Sequence, residues 1–434
     1  MGRIRPMHDP RVFLDSLFAT AVAAAHPAAV LPRLLPEPAQ GRIVLLAAGK
    51  AAGSMAEVAE TVYLDDRRLA PERLTGIAVA RHGYGRPTRT VEMVEAGHPI
   101  PDAAGFAAAE RALALADGAG SDDLVLVLMS GGASANWIAP AAGISFADKQ
   151  AVTRALLRSG AHIGEINTVR KHLSRIKAGR LARHAFPARL ATIAISDVPG
   201  DDPAVIGSGP TVPDPSTLAQ ARAIVAKYRL DVPEAITRAL ADPANETPKP
   251  GDKVFAATTF ALAARPADAL AAAETAAKAA GYDVVFLGDR VEGEAREVAA
   301  AHARLARELR AAGRRAVIMS GGELTVTIRG QGRGGPNQEY ALALAIEIAD
   351  IADIAALAGD TDGTDGGAGD ATDPAGAIID GDTVRRAKSL GLDPAAFLAD
   401  NDSTSFFMRL GDLLQPGPTY TNVNDFRAIV VDTP

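Results

Sequence analysis

Glycine-containing turns follow apolar segments of this sequence at several places and contain side chains that could bind or transfer an anion. Residues 330–335, GQGRGG, surround Arg333 with glycines, and a helical pattern begins at Pro336. A glycine-rich turn that enters a helix presents unpaired backbone N–H groups and the positive end of the helix dipole. This combination predicts an anion site, with a phosphate chain as the expected ligand.

A lysine and a repeated turn add to this chemistry. Lys50 follows a short apolar segment and precedes a helical pattern, where it could pair with a substrate carboxylate or a transferring phosphoryl group. Met-Ser-Gly-Gly occurs at 129–132 and again at 319–322. We expect these turns to face each other across a domain cleft, although a chance recurrence of so short a motif is the alternative.

Carboxylates follow two further apolar segments. Asp197 is placed where a strand ends, as a catalytic base or a magnesium ligand would be, but it also begins turn chemistry before Pro199 and Gly200. Residues 359–370, GDTDGTDGGAGD, lack the order of a calcium loop. Their position favours carboxylates and hydroxyls beside a metal–phosphate complex over a flexible acidic turn.

A basic segment, 167–182, predicts a helix that continues to residue 184 and is capped by Asn167. Lys171 and Ser174 would share one face of it. Most of its charges are expected to be solvated, with Lys171 or Arg175 as candidates for a substrate carboxylate.

The same glycines also match the dinucleotide fingerprint G-x-G-x-x-G at 330, 332 and 335, with Asp350 and Asp353 beyond. This pattern keeps a dehydrogenase as an alternative. Arg333 argues against it, because its side chain would crowd the close approach of a pyrophosphate. The next strand also ends in an acidic loop instead of carrying a lone ribose-binding carboxylate.

Length and composition limit the function classes. The chain has 434 residues, which predicts two domains, and its net charge of -7 argues against a nucleic-acid or membrane-surface protein. The absence of cysteine excludes disulfides, zinc–thiolate sites and cysteine nucleophiles. Short apolar segments alternate with alanine-rich helical ones, which predicts a mostly parallel α/β sheet covered by helices, with ligands at the carboxyl ends of its strands.

The N-terminal segment needs separate treatment. Arg3 and Arg5 precede an apolar stretch that superficially resembles a secretory signal. Asp15 interrupts this stretch, and Phe13 and Leu17 recur at helical spacing, so we expect an amphipathic first helix. The expected protein is soluble and cytoplasmic, because no apolar run reaches the roughly 18 residues of a membrane span.

Together these segments resemble the type-2 glycerate kinases, whose C-terminal part is the MOFRL domain. The resemblance covers nearly the whole chain and rests on seven stretches and one shorter partner: 47–52, 129–135, 166–182, 196–211, 319–339, 359–366, and 401–407 with 421–425. It implies a large N-terminal α/β/α Rossmann-like sandwich (residues 1–311, with a linker near 242–252) and a smaller α/β C-terminal domain (312–434). It also implies an active site in the interdomain cleft. Asn136 and Trp137 depart from the usual residues after Ser-Gly-Gly and are expected to shape a local pocket.

The resemblance further implies magnesium-dependent transfer of the ATP γ-phosphoryl group to D-glycerate, giving 2-phosphoglycerate. It assigns Lys50 and Arg333 as catalytic cations, and Asp197 by position as base or Mg²⁺ ligand. Expected cofactor-binding residues, also by position, are Ser130, Gly131, Gly132, Ser320, Gly321, Glu323, Asn337 and Asp362. Alternatives left open are an NAD(P)H-dependent hydroxypyruvate reductase, since family members often carry that name, and a non-catalytic anion-binding protein. A homodimer is one candidate for the oligomeric state.

Overall fold

The computed structural model describes residues 9–367 and 369–433. Contacts between residues divide the chain into two compact units. The first unit comprises Leu31–Ala194 and Gly200–Ala263, and the second comprises the described residues up to Val30, Ile195–Pro199 and the chain from Ala264 onwards. Arg3 and Arg5 lie outside the described residues.

Helices occupy both units. They are α1 (Pro10–Ala25), α2 (Pro27–Val30), α3 (Ala52–Glu60), α4 (Ala103–Asp117), α5 (Ala133–Asn136), α6 (Phe146–Arg158), α7 (Ile163–His172), α8 (Arg180–Ala185), α9 (Leu218–Lys227), α10 (Glu234–Ala241), α11 (Pro266–Ala279), α12 (Ala295–Ala311), α13 (Pro336–Glu347), α14 (Thr383–Ser389), α15 (Pro394–Ala399) and α16 (Ser403–Leu410). Among the described residues, no helix combines the length and hydropathy that crossing a bilayer requires.

The first unit is built on a six-stranded sheet. Its strands are β1 (Ile43–Ala48), β2 (Leu74–Arg81), β3 (Val91–Ala96), β4 (Leu124–Met129), β5 (Arg189–Ile195) and β6 (Thr258–Ala264). Their order is β3-β2-β1-β4-β5-β6, which is the doubly wound order of dinucleotide-binding sheets. The pairs β1–β2, β1–β4, β2–β3 and β4–β5 are parallel. The predicted parallel α/β sheet is confirmed.

The sequences of the central strands explain this arrangement. Strands β1 (IVLLAA) and β4 (LVLVLM) are continuous apolar runs that are buried at every position. Such runs are typical of parallel strands covered on both faces. Helix α3 packs against both strands and against β2, and helix α4 packs against β1, β2 and β3.

The second unit contains a mixed sheet and a short two-stranded one. Its strands are β7 (Asp283–Phe286), β8 (Gly293–Glu294), β9 (Arg315–Ser320), β10 (Leu324–Thr325), β11 (Ile354–Asp360), β12 (Gly376–Asp380), β13 (Leu413–Leu414) and β14 (Asp425–Asp432). The mixed sheet has the order β13-β12-β11-β14-β9-β7, and β10 pairs with β8. Of the predicted alternating strand at 324–328, only β10 forms.

The compact units divide the chain at other places than the predicted boundary between residues 311 and 312. Strand β7 hydrogen-bonds to β9 in parallel, and α11 packs against α1. These contacts place the chain from Ala264 to Ala311 in the second unit, together with the N-terminal helix. The predicted amphipathic helix near the N-terminus is confirmed as α1, which buries Phe13, Leu17 and Phe18.

The predicted helix over 167–184 is wrong in its extent. Helix α7 begins at Ile163 and ends at His172, and α8 begins only at Arg180. Ala178 and Gly179 have φ of 57° and 75°, which a continuous helix does not allow. Asn167 therefore lies within α7 and does not cap it, and Ser174 lies beyond the helix that carries Lys171.

Candidate functional site

Lys50 lies at the switch point of the doubly wound sheet. Strands β1 and β4 are neighbours there, and the chain turns away from each at its carboxyl end. The backbone N–H of Lys50 donates to the carbonyl of Gly131 (2.8 Å), and that of Ala51 donates to the Ser130 hydroxyl (2.9 Å). Ligands of open α/β sheets bind in the crevice at this switch point. The structure thus brings Lys50, Ser130, Gly131 and Gly132 together.

Two glycines allow the turns to approach so closely. Gly49 has φ +118°, and a Cβ there would lie 2.4 Å from the Ser130 hydroxyl oxygen. Gly132 has φ +88°, and a Cβ there would lie 3.0 Å from the His98 ring and 3.4 Å from Lys50 Cγ. The Lys50 side chain therefore runs beside Gly132, half-buried at the end of the sheet.

Asp197 is held by two asparagines of the second unit. Its Oδ2 accepts a hydrogen bond from Asn422 Nδ2 (2.8 Å), and its carbonyl accepts one from Asn424 Nδ2 (3.0 Å). The sequence reasoning assigned these asparagines no role, although they belong to the quoted stretch TNVND at 421–425. Asn422 and Asn424 lie just before a strand, and this pair of side-chain amides could have been recognised from the sequence as partners of a carboxylate.

The second Ser-Gly-Gly turn is fastened by a buried arginine. Arg427 Nε donates to the Ser320 hydroxyl (3.2 Å), and its Nη2 donates to the carbonyls of Gly321 (2.6 Å) and Gly322 (3.0 Å). Ser320 and Arg427 are each 1% exposed. Their contacts give this turn a structural role, whereas Glu323, directly after it, is exposed.

The glycine-rich loop 330–335 differs from its prediction. Its backbone N–H groups were expected to be unpaired and open to phosphate, but most donate to oxygens of residues 400–402. Gln331 N donates to Asp400 Oδ1 (2.9 Å), Gly332 N to the Asp400 carbonyl (2.9 Å) and Arg333 N to Asp402 Oδ1 (3.1 Å). The Arg333 side chain remains exposed.

The glycines of this loop are required by close packing on the protein itself. A Cβ at Gly330 would lie 2.2 Å from the Asp400 carbonyl oxygen, and one at Gly335 would lie 2.4 Å from the Asp365 carbonyl oxygen. In a dinucleotide-binding loop these glycines make room for a pyrophosphate. The preceding strand also differs, because β10 belongs to the two-stranded sheet and not to the doubly wound one.

The N-terminus of α13 already holds an anion, the carboxylate of Asp365. This carboxylate accepts hydrogen bonds from the backbone N–H groups of Asn337 (3.0 Å) and Gln338 (2.8 Å) and from both side-chain amides. The Asn337 amide also donates to Asp425 Oδ1 (2.7 Å). The predicted anion site at this helix end is therefore occupied by the chain's own acidic side chain.

Burial controls the ionisation of this carboxylate. Burial and the nearby Asp425 carboxylate raise the pKa of Asp365 to about 7, although the donors from Asn337 and Gln338 favour its ionised form. Burial also raises the pKa of Asp425, against the opposing effect of Arg427, whose Nη1 lies 2.9 Å from Asp425 Oδ2. These two carboxyl groups and the arginine form a buried network that links α13, β14 and the acidic loop.

Asp362 is also buried in that acidic loop. Its Oδ1 accepts hydrogen bonds from the Thr364 backbone N–H (2.7 Å) and hydroxyl (3.0 Å), so it stabilises the turn. Ala368 of this loop lies outside the described residues. Within the described chain, no group of three or more His, Asp or Glu side chains is placed to hold a metal ion.

The two residues predicted to bind a substrate carboxylate have carboxylate partners within the protein. Lys171 Nζ lies 3.5 Å from Asp214 Oδ1, and Arg175 forms a salt bridge with Glu110. Asn136 and Trp137, predicted to shape a pocket, are buried, and the residues on either side of them, Ala135 and Ile138, line a cavity of the first unit.

Comparison with known proteins identifies the family. Residues 13–241 match the model of a domain of unknown function, DUF4147, and residues 316–425 match the MOFRL family. A D-glycerate 2-kinase of Thermotoga maritima is 38% identical over 93% of this chain and 94% of its own length. The crystal structure of a glycerate kinase from the same organism has a TM-score of 0.85 at 36% identity, covering 98% of this chain and 100% of that one. The chain belongs to the type-2 glycerate kinase family with a C-terminal MOFRL domain.

Another similar protein carries a different name. A protein of Agrobacterium vitis called a putative hydroxypyruvate reductase is 47% identical over 97% of this chain and 94% of its own length. The DUF4147 match contains Lys50, Ser130 and Asp197, and the MOFRL match contains Arg333, Asp365 and Asp425. The residues singled out by sequence are thus distributed over both family models.

Proposed function

We propose that this protein transfers the γ-phosphoryl group of ATP to D-glycerate in a Mg²⁺-dependent reaction that gives 2-phospho-D-glycerate. The observation that carries the proposal is Lys50 held beside a Ser-Gly-Gly turn at the switch point of a doubly wound sheet. Membership of the glycerate kinase family supports the same reaction. Phosphoryl transfer needs positioning and charge neutralisation above all, and a fixed ammonium at such a position supplies both.

The proposed roles of the cations follow from how they are held. Lys50 neutralises a transferring phosphoryl group from the end of β1. Arg333 does so from a loop whose backbone is anchored to Asp402 and Thr404, which leaves its guanidinium exposed. A guanidinium can form two parallel hydrogen bonds to phosphate oxygens.

The residues proposed to contact the nucleotide divide into two groups. Gly131, Gly132, Gly321 and Glu323 lie in turns at strand ends and are proposed to contact it directly. Ser130, Ser320, Asn337 and Asp362 are buried and hydrogen-bonded to protein groups, so we propose that they act by holding the turns and the start of α13 in place.

Asp197 is proposed as the general base for the glycerate hydroxyl or as a ligand of Mg²⁺. Its carboxylate fits this metal, which prefers oxygen ligands and takes one or two protein carboxylates together with waters and phosphate oxygens. Magnesium, when bound, would neutralise part of the phosphate charge. The amide of Asn422 orients the Asp197 carboxylate in either role.

The alternative function is an NAD(P)H-dependent hydroxypyruvate reductase, which the name of a similar protein favours. The geometry of loop 330–335 argues against it, because its glycines pack on Asp400, Asp402 and Asp365, where a pyrophosphate would need space. The helix end that would receive the pyrophosphate carries the Asp365 carboxylate instead.

Two assays run side by side test the proposal. One measures ADP release with ATP, Mg²⁺ and D-glycerate, and the other measures NADH oxidation with hydroxypyruvate. The proposal predicts glycerate-dependent ADP release and no NADH oxidation. NADH oxidation without ADP release would reverse the assignment.

A further inference from the structure

A half-enclosed cavity of about 410 Å³ lies within the first unit. Helices α6 and α7 form one side of it, and the segments after β3 and after the first Ser-Gly-Gly turn form the other. Ile138 and Ile166 contribute to an apolar wall, and Ser134 and Ser174 contribute hydroxyl groups. Ser134 of the cavity lining is two residues from Gly132, and the Lys50 side chain runs beside Gly132.

Four cations line this cavity, of which Arg154 is exposed and the other three are more deeply buried. Lys149 and Lys177 are only 4% and 3% exposed, and Arg170 is half-buried. Lys149 Nζ donates to the carbonyls of Arg170 (2.9 Å) and Leu173 (2.8 Å) at the end of α7. Lys177 Nζ donates to the Ser134 carbonyl (2.7 Å).

Lys149, Arg170 and Lys177 have no carboxylate partner among the described residues. Among the described residues, no acidic side chain lines the cavity, and no salt bridge joins Lys149, Arg170 or Lys177 to a carboxylate. Burial lowers the pKa of both lysines well below the usual range, and the neighbouring Arg170 lowers it further. Buried charges of like sign are unfavourable unless an opposite charge accompanies them.

We propose that Lys149, Arg170 and Lys177 make this cavity a binding site for the carboxylate of a small organic acid. The apolar wall can pack against the carbon skeleton of such an acid, and Ser134 and Ser174 can form hydrogen bonds with the acid's hydroxyl groups. Inorganic phosphate has no carbon skeleton to pack in this way. This acid is the acceptor substrate D-glycerate, an identification that rests on the proposed function. Arg170 and Lys177 then take the role that the sequence suggested for Lys171 or Arg175.

Trp137 provides a signal for binding that does not depend on catalysis. It is the only tryptophan of the chain, it is 2% exposed, and it precedes Ile138 of the cavity wall. The full-length protein, without nucleotide, is titrated with D-glycerate, with glycerol and with inorganic phosphate while its fluorescence is recorded, and calorimetry repeats each titration. We expect saturable binding of D-glycerate, none of glycerol, and weaker binding of phosphate.

The variants Arg170→Met and Lys177→Met are each expected to weaken D-glycerate binding roughly tenfold or more, because each loses a charge-assisted hydrogen bond. Arg158→Met, which removes an exposed arginine from α6, is the control and should bind like the original protein. Circular dichroism checks folding, and Arg170→Met alone carries the test if Lys177→Met does not fold. Unchanged D-glycerate affinity in Arg170→Met, or phosphate binding as tight as that of D-glycerate, would overturn the proposal.

Kinetics separate this proposal from the proposed function. In an active kinase, Arg170→Met should raise the KM for D-glycerate roughly tenfold and leave the KM for ATP unchanged. An unchanged KM for D-glycerate would refute the site while the kinase assignment stands. Arg170-dependent binding of D-glycerate without any phosphoryl transfer would retain the site and refute the kinase.

Discussion

Lys50 and Arg333, the two cations of the proposed phosphoryl transfer, are held in different ways. The backbone N–H of Lys50 is fixed to Gly131, and its side chain runs along Gly132 within the ordered end of a parallel sheet. Within the described part of the chain, Arg333 forms hydrogen bonds only through its backbone, to Asp402 and Thr404, and its guanidinium is exposed. Replacing its side chain should therefore affect chemistry and leave folding unchanged.

Arg333→Ala should lower turnover by about 10³-fold or more, by analogy with arginines that stabilise transferring phosphoryl groups. The unfolding temperature should not change, because the contacts of residue 333 with the protein are made by its backbone. Steady-state kinetics and thermal unfolding measure the two effects. Arg329→Ala, which removes another exposed arginine from the adjoining segment, is the control, and equal activity of both variants would remove Arg333 from the mechanism.

Asp365 should make stability depend on pH in an unusual direction. The pKa of Asp365 in the folded state, about 7, lies above the ordinary pKa of an aspartate, which applies to the unfolded state. At pH values between these two pKa values, the folded state therefore binds more protons than the unfolded state. Stability from this group is fully present below the ordinary value and falls as pH rises towards 7. Between pH 5 and pH 8, Asp365→Asn should destabilise the protein most at pH 5 and progressively less towards pH 8.

Chemical denaturation at several pH values measures this difference between Asp365→Asn and the original protein. The difference in unfolding free energy between the two proteins is the quantity to compare, because His302 adds its own pH dependence to both. Burial lowers the pKa of His302 to about 4, so its contribution to stability rises with pH in both proteins. Asp370→Asn, an exposed position in the same loop, is the control. A destabilisation by Asp365→Asn that is constant from pH 5 to pH 8 would contradict the raised pKa.

Among the secondary-structure elements, the continuous strands could be predicted and the broken helix could not. Runs such as IVLLAA and LVLVLM identify β1 and β4, and their ends place Lys50 and Ser130. After His172 the chain leaves the helix and passes through the left-handed residues Ala178 and Gly179, and carbonyls at the end of α7 accept hydrogen bonds from Lys149 of α6. Because the break positions Lys177, sequence patterns could not show that Lys149, Arg170 and Lys177 meet at one cavity.

In loop 330–335, local sequence predicts unpaired N–H groups where the structure shows paired ones. Its glycines predict a phosphate loop, but local sequence cannot show that its N–H groups donate to Asp400 and Asp402. Nor can it show that the N–H groups at the start of α13 donate to Asp365. These acidic residues lie between 27 and 69 positions away from the residues whose N–H groups bind them. Tertiary contacts therefore decide whether a glycine-rich turn receives a ligand or a neighbouring segment.

The turn between β9 and β10 depends on Arg427 of β14. Arg427→Met should lower the free energy of unfolding by about 3–5 kcal/mol, since it leaves the buried Asp425 carboxylate and two carbonyls without their cation. Arg427→Lys should recover only part of this, because one ammonium cannot replace a planar fork of donors. Urea denaturation measures both variants, and a loss below about 1 kcal/mol for Arg427→Met would contradict this role.

At the scale of the whole chain, the compact units do not follow the order of the sequence. The N-terminal helix α1 and the C-terminal strand β14 belong to the same unit, and residues 195–199 return to it within the chain of the other. Length predicts two domains, and contacts between residues divide the chain into two compact units. The boundaries of these units differ from the predicted boundary between residues 311 and 312. They differ because sheet pairing, as between β7 and β9, joins segments that local sequence patterns treat as separate.

Arg11 links α1 to the remainder of its unit. Its guanidinium lies 2.7 Å from Asp380 and 2.6 Å from Asp412, and it also donates to the Ile378 carbonyl (2.9 Å). Arg11→Met should lower the free energy of unfolding by roughly 1–3 kcal/mol through the loss of these charge-assisted bonds. Arg304→Met, at an exposed arginine of α12, is the control, and an equal effect of the two substitutions on urea denaturation would show that α1 is not held in this way.

The product of the reaction tests the central assignment most directly. The protein is incubated with ATP, Mg²⁺ and D-glycerate, and the proton-coupled ³¹P NMR spectrum is recorded together with the ADP formed. A phosphate ester at C2 has one neighbouring proton, so the assignment predicts a doublet that grows in step with ADP. A triplet would place the phosphate on C3, and the absence of any ester from a protein that oxidises NADH with hydroxypyruvate would contradict the kinase altogether.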